Sequence, residues 1–449
     1  MAAVLSVSDI DKKKLIELIN NFTIMPKKTI YEQKPKSICA FDLDEKEKLV
    51  YLPLRFSEKY GATIKQNHPK INIKFVFDLY TKETDPKKRG RDQNIVAAQA
   101  IKILEEKNSV LLACFTGYGK TMMAAYLSAY FGYKTAILSH MDVIKEQFIE
   151  ELERFTGKTA KIQCVKGKDK LDPNADIYIM GVIKASTIPR EELKDVGMLI
   201  IDEIHLCTTT ALTKAALRFT PDKFIGLSAT PDRKDGLDAL MHLHFGTPNE
   251  FIVRKETKSF TVIRRWTNIK PNVQYVQVNG HVVLKWTEVI SSLNENKTFW
   301  EDIVQNILEY KDEKIIVLCE RQELAQGVFN MLVEKKESVE LLIGTKKKWD
   351  KSKRVLIAGQ KKGGVGLNDP DLTMLILACD TTDVRQFEGR IRTTNNIIID
   401  YRHNHYTLDK HGAIRDEWYL SRGATLENSG PREPSNGKPK KVAQKRFLV

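Results

Sequence analysis

Residues 110–121, VLLACFTGYGKT, join an apolar run to two glycines, a lysine and a threonine, and the helix-forming stretch TMMAAYLSAYF follows at once. That order suits phosphate binding, because glycines let backbone N–H groups close on anionic oxygens and a helix N-terminus favours negative charge. Thr116, Gly117, Tyr118 and Gly119 would form the turn. Lys120 would meet the β- and γ-phosphates, and Thr121 would offer its hydroxyl to Mg²⁺. Cys114 stands where the strict GxxxxGK[ST] pattern has its first glycine, so a glycine-rich turn with a chance lysine stays open on this segment alone.

Three further segments carry chemistry. In GMLIIDEIH, residues 197–205, four apolar residues deliver two carboxylates to the C-terminal end of a buried strand, where open α/β sheets keep their ligands. Asp202 would hold Mg²⁺, and Glu203 would position or deprotonate an attacking water. The bland alternative is a strand that ends in solvated acids. FIGLSATPDRKDG, residues 224–236, ends an apolar run in Ser228 and Thr230, hydroxyls able to bond the acidic strand end and sense a nucleotide; alone, the segment reads equally as an ordinary strand-to-turn transition. RQFEGRIR, residues 385–392, offers Arg390 and Arg392 as arginine fingers for a transferring phosphoryl group. Taken alone it also reads as a helix with a charged face.

These side chains need strands to present them. Apolar runs at Val110–Cys114, Lys134–Leu138, Ile177–Met180, Met198–Ile201, Phe224–Leu227, Ile315–Leu318, Arg354–Ala358, Thr373–Ala378 and Asn396–Asp400 alternate with amphipathic stretches. Such alternation over more than 300 residues calls for parallel sheets covered by helices, in two domains. The seam is expected between 250 and 265. Residues 1–85 lack this rhythm and read as a small accessory domain, with strands at Leu49–Leu54 and Ile71–Leu79 and a helix over Asp9–Asn20; Thr81–Asp92 reads as a linker. The expected division is 1–85, 86–255, 256–422 and a basic disordered tail, 423–449, whose last twenty residues set six Lys/Arg against one Glu.

The chain has 449 residues, and 72 Lys+Arg against 58 Asp+Glu leave a net charge of +14. A balance that basic favours polyanionic partners, nucleic acid before membrane. The longest apolar runs fall far short of the ~18 residues that span a bilayer, and the N-terminus lacks a signal-peptide pattern, so neither a membrane nor a secreted protein is expected. Six scattered cysteines without a CxxC pair argue against zinc and for a reducing compartment. His403, His405 and His411 have no cysteine near them, and they too are read as structural.

In this order and spacing, TGYGKT, DEIH, SAT and QFEGR resemble the superfamily 2 helicases of the DEAD/DEAH-like kind. Among subgroups the likeness is nearest to the XPB-like and UvsW-like helicases and to those of large DNA viruses, including the poxvirus transcript-release type. It covers residues 88–422 and implies two RecA-like domains in tandem, ATP and Mg²⁺ between them, and coupling of ATP hydrolysis to strand separation or translocation. It implies an adenine-reading role for Gln93, with Asn94 as the other register, and coupling roles for His205, Ser228, Thr230 and Gln386. Nucleic-acid contacts fall to Gln147 in ILSHMDVIKEQF, to Gly181 in IMGVIKAST, and to Gly364 and Gly366 in GQKKGGVGLNDPDL; Asp369 of that last segment would also meet ATP. The family's second arginine, three residues after the first, is Thr393 here. DNA is the expected polymer in preference to RNA, with transcription or replication proteins as partners and an intracellular or virion location. A second reading, an ATP-switched nucleic-acid clamp without unwinding, draws on the Thr393 departure. A third, the motor of a restriction or nuclease complex, finds little length left for a nuclease.

Overall fold

Apolar runs with little alternation belong in parallel strands covered on both faces, and seven strands line up in each of two sheets. The computed structural model describes residues 2–28, 32, 34–63, 67–85, 90–139, 142–206, 209–231, 235–256, 259–346, 348–364, 367, 369–391 and 396–432. The chain divides into two units at Lys255/Glu256.

The sheet of the first unit contains β1 (Ser109–Cys114), β2 (Thr135–Ser139), β3 (Ile162–Val165), β4 (Ile177–Gly181), β5 (Met198–Ile201), β6 (Lys223–Ser228) and β7 (Ile252–Arg254). Its order is β7-β1-β6-β5-β2-β4-β3, every pair parallel. The register sets Ile201 beside Gly226 and Ser228 beside Ala113. The turns after β1, β5 and β6 therefore emerge side by side at one edge.

The second unit holds β8 (Phe260–Trp266), β9 (Ile315–Cys319), β10 (Val339–Leu342), β11 (Val355–Gly359), β12 (Met374–Ala378), β13 (Asn396–Arg402) and β14 (Ala424–Ser429). Here the order is β10-β11-β9-β12-β13-β8-β14, again parallel throughout. This is the expected pair of RecA-like sheets in tandem, with a small N-terminal domain.

That N-terminal part is a three-stranded antiparallel sheet of Ala2–Ser6, Leu49–Pro53 and Asp42–Asp44. Its Ala3, Leu5 and Leu52 share a core with Leu111, Leu138 and Tyr178 of the large sheet. Two expectations need correction. Ile71–Leu79 forms no strand: Ile71 and Val76 N–H each donate to a single loop or helix-end carbonyl while Ile73 fills the core. Hydrophobic residues served packing there without a partner edge. Conversely, Ala424–Ser429 of the expected tail is β14, paired with β8. Its polar sequence hid it, because an edge strand buries only Ala424. Residues 433–449 lie outside the described residues. Strands β3, β7, β8 and β10 also had no counterpart among the expected strands; β8 carries Arg264 and Arg265, which pair with Asp416 and Asp302 instead of facing core. Among the described residues no helix is long and apolar enough to cross a membrane.

Candidate functional site

The turn after β1 is built around two left-handed glycines, Gly117 at φ 85° and Gly119 at φ 101°. Side chains rarely adopt such angles, and a Cβ on Gly119 would also meet Gln93 Nε2 at 2.4 Å. Gly119 caps the N-terminus of the helix Lys120–Phe131, whose other end is closed by the left-handed Gly132. The interior of that helix has no β-branched residue after Thr121, which suits helix formation. Lys120 Nζ rests on the Cys114 carbonyl at 3.2 Å. Burial pushes the Cys114 thiol up to about 12, so this cysteine stays a neutral core residue beneath the loop.

The loop is held from behind. Gln93 Nε2 donates to the Tyr118 carbonyl at 2.7 Å, and Gln93 Oε1 accepts the Tyr80 N–H at 3.0 Å. With 0% exposure, Gln93, the residue expected to read adenine, has its amide turned into the protein and braces the loop from behind. The Tyr118 hydroxyl donates to Asp92 Oδ1 at 2.9 Å, and Asp92 is paired with Arg254. Neither Asp92 nor Arg254 stood out in the sequence, since 162 residues separate them and no local pattern links them.

Two strands away, β5 ends at Asp202 and Glu203. Asp202 is 7% exposed, and its pKa is raised to about 7, first by burial and then by the adjacent Glu203 charge, against a lowering by Lys120. Glu203 sits at φ 46°, a left-handed angle that costs a non-glycine residue ~1 kcal/mol or more and concentrates at functional turns. Its buried Oε2 receives no hydrogen bond among the described residues. The nearest cation-forming group is His205 Nδ1 at 3.4 Å. That nitrogen bonds Ser228 Oγ at 2.8 Å, and Ser228 Oγ accepts the Thr230 N–H at 2.9 Å. A polar chain thus joins the acidic strand end to the turn after β6, linking three of the residues expected to couple.

A buried carboxylate held proton-hungry beside one with an orphaned oxygen asks for a cation. A glycine cradle, a lysine and a half-buried Thr121 at the helix start stand at the same sheet edge. These residues fit a Mg²⁺-nucleotide: the loop glycines, Lys120 and Thr121 toward phosphate, Thr121 and Asp202 toward the metal.

The second unit carries the remaining candidates. Arg385–Glu388 is a short helix, followed by Gly389 and Arg390, and Arg390 Nη1 donates to the Leu367 carbonyl at 2.8 Å. Gln386 lies half-buried in that helix. Asp369, expected to meet ATP, has its buried carboxylate paired with Lys314 Nζ at 2.9 Å. Gly364 ends the helix Gln360–Gly364, and Gly181 closes β4 and caps the next helix at an ordinary φ of −75°. Gln147 lies in the helix Asp142–Phe155, its side chain outside the described residues, as are Gly366, Arg392 and Thr393. The three histidines have protein partners: His403 with Thr267, His411 with Asp380, and His405 as a helix cap.

With this geometry in view, comparison with known proteins is informative. A family model described as "Type III restriction enzyme, res subunit" matches residues 87–233. Protein 161L of Invertebrate iridescent virus 6, which bears a helicase name, is 30% identical over 465 residues, covering 95% of this chain and 99% of that protein. Among solved structures, S. cerevisiae Dbp5 bound to RNA and ADP BeF3 aligns with 78% of this chain and 91% of its own, at TM-score 0.55 and 14% identity. Mycobacterium smegmatis helicase Lhr, bound to ssDNA and AMP-PNP, aligns with 74% of this chain and 48% of its own, at TM-score 0.51 and 17% identity.

Proposed function

The chain belongs to the superfamily 2 helicases, related to those of large DNA viruses, and is an ATP-hydrolysing enzyme; from that premise we propose that it drives strand separation or translocation on DNA. The observation that carries the site assignment is the acidic pair at the end of β5, one carboxylate proton-hungry and the other with an orphaned oxygen, on the same sheet edge as the glycine–lysine loop.

Bound Mg²⁺–ATP would supply the electrophilic γ-phosphoryl group and the positive charge that lets Asp202 ionise. Lys120 and the backbone of Gly117 and Gly119 would orient the phosphates, and Thr121 and Asp202 would fix the metal side. Glu203 Oε2, which receives no hydrogen bond among the described residues, would accept a proton from the attacking water. By likeness to the family, Arg390 would stabilise the charge that develops on the transferred group. Phosphoryl transfer is mostly positioning and electrostatics, which is what this set of residues provides.

Contacts along a translocation track go mainly to phosphates, so affinity should be salt-dependent and nearly blind to sequence. The solved neighbours hold ssDNA in one case and RNA in the other; the lean to DNA rests on likeness to the DNA-acting subgroup. Parallel ATPase assays with single-stranded DNA, duplex DNA and RNA test it. Stronger stimulation by RNA than by either DNA would reverse the assignment. The clamp reading rests on Thr393 in place of the family's second arginine. Nucleic-acid-stimulated hydrolysis with no strand separation or movement on the same substrate would favour it.

A further inference from the structure

Two ion-paired residues flank the seam at Lys255, one in each unit. On one side, Arg254 Nε lies 2.9 and 3.2 Å from the two oxygens of Asp92, and Asp92 accepts the Tyr118 hydroxyl at 2.9 Å. The Arg254 carbonyl accepts the Phe115 N–H at 3.1 Å. One residue of β7 therefore grips the phosphate loop at its start and at its middle. On the other side, Arg422 Nη2 donates to Glu256 Oε2 at 3.0 Å, and Arg422 Nε donates to Glu388 Oε2 at 3.3 Å. All three of these charged groups are buried, and Glu388 ends the short helix that leads directly to Arg390.

Buried charges hold their partners closely, because a group that leaves its counter-ion keeps the full desolvation penalty. The guanidinium of Arg422 reaches both carboxylates through different nitrogens, which a lysine's single ammonium reproduces poorly. Resting on the ATPase site assigned above, we infer that Arg254 and Glu256 are positioning residues for hydrolysis. Arg254 sets the phosphate loop through Asp92 and Tyr118, and Glu256 sets the RQFEGR segment through Arg422 and Glu388. Neither residue belongs to a local motif, and each acts through its ion-pair partners.

Steady-state ATPase kinetics on the full-length chain, with melting temperatures measured alongside, test this. Arg254→Ala should raise KM for ATP by ~10-fold with kcat within ~3-fold, because loss of a charged hydrogen bond mis-sets a ground-state ligand loop. Tyr118→Phe, which removes one hydroxyl, should shift KM the same way by ~3-fold. Glu256→Gln should lower kcat by ~10-fold at unchanged KM, because a displaced transition-state group costs rate and not binding. Arg422→Lys should do the same, and it decides the point if Glu256→Gln fails to fold; Tyr118→Phe decides likewise for Arg254→Ala. A purely structural role would lower the melting temperature and leave both constants of the folded enzyme unchanged, and that result overturns the inference. Lys120→Ala separates the two levels. If it is inactive while the seam variants behave as wild type, only this inference falls; if it is active, the site assignment falls first.

Discussion

Asp202 and Asp400 are both buried aspartates carried by parallel strands, and their surroundings are opposite. Asp400, 0% exposed in β13, accepts from Arg415 at 2.8 and 2.9 Å and from Arg402 at 2.9 Å. Burial pushes its pKa up, but the charges of Arg402 and Arg415 outweigh that, and the net shift is downward. Among the described residues Asp202 has no such pair of cations. Burial and Glu203 together hold it up at about 7. The fold around Asp400 is committed to it: a Cβ on Gly412 would lie 1.7 Å from Arg402 Nη1, so the helix above is glycine where the buried arginine passes. A satisfied buried charge marks scaffold, and an unsatisfied one marks where a ligand's charge belongs.

The sharpest attempt to break this contrast is to neutralise the unsatisfied end. Asp202→Asn and Lys120→Ala should each lower ATP turnover by ~10³-fold or more while the protein stays folded. Near-normal hydrolysis by either folded variant would remove the distinction. Arg390→Ala should lower turnover by a comparable ~10³-fold with little change in ATP affinity, and a matching rise in KM instead would make it a ground-state ligand.

Asp400→Asn should show the reverse pattern. Leaving Arg402 and Arg415 short of their counter-ion should cost about 3 kcal/mol of stability, measured by denaturant unfolding, with kcat of the folded fraction unchanged. A kcat defect without loss of stability would move Asp400 from scaffold to site.

A smaller effect concerns pH in the absence of metal and nucleotide. The folded-state pKa of Asp202 lies above the usual aspartate range, so the folded protein binds more protons than the unfolded chain between about pH 4 and 7, and stability falls as pH rises through that window. Asp202→Asn should therefore melt higher than wild type at pH 8, with the gap closing toward pH 4 and shrinking when Mg²⁺ and a nucleotide analogue are added. Asp400 runs the other way: its contribution is complete at neutral pH and is lost only below the ordinary aspartate range. Equal melting temperatures at pH 8 would show that Asp202 is not strained. Smallest is the salt response: with ~6 phosphate contacts on a single strand, the log–log slope of affinity should be near −4.

Contiguous chemistry was legible without coordinates. The turn from β1 into its helix, the DEIH end of β5 and the Ser228–Thr230 turn each lie within about a dozen residues, and strand–turn–helix geometry is set by local rules. The parallel sheets followed from the same runs. Which charges meet was not legible, because 72 cations and 58 anions can pair in many ways until the chain folds. Only the tertiary structure turned Gln93 into a brace for the Tyr118 carbonyl, gave Asp369 to Lys314, joined Arg254 to Asp92, and added the polar Ala424–Ser429 as a strand. In each case the deciding partner stands at least 25 residues away in sequence, and contacts at that range are set by packing, not by local pattern.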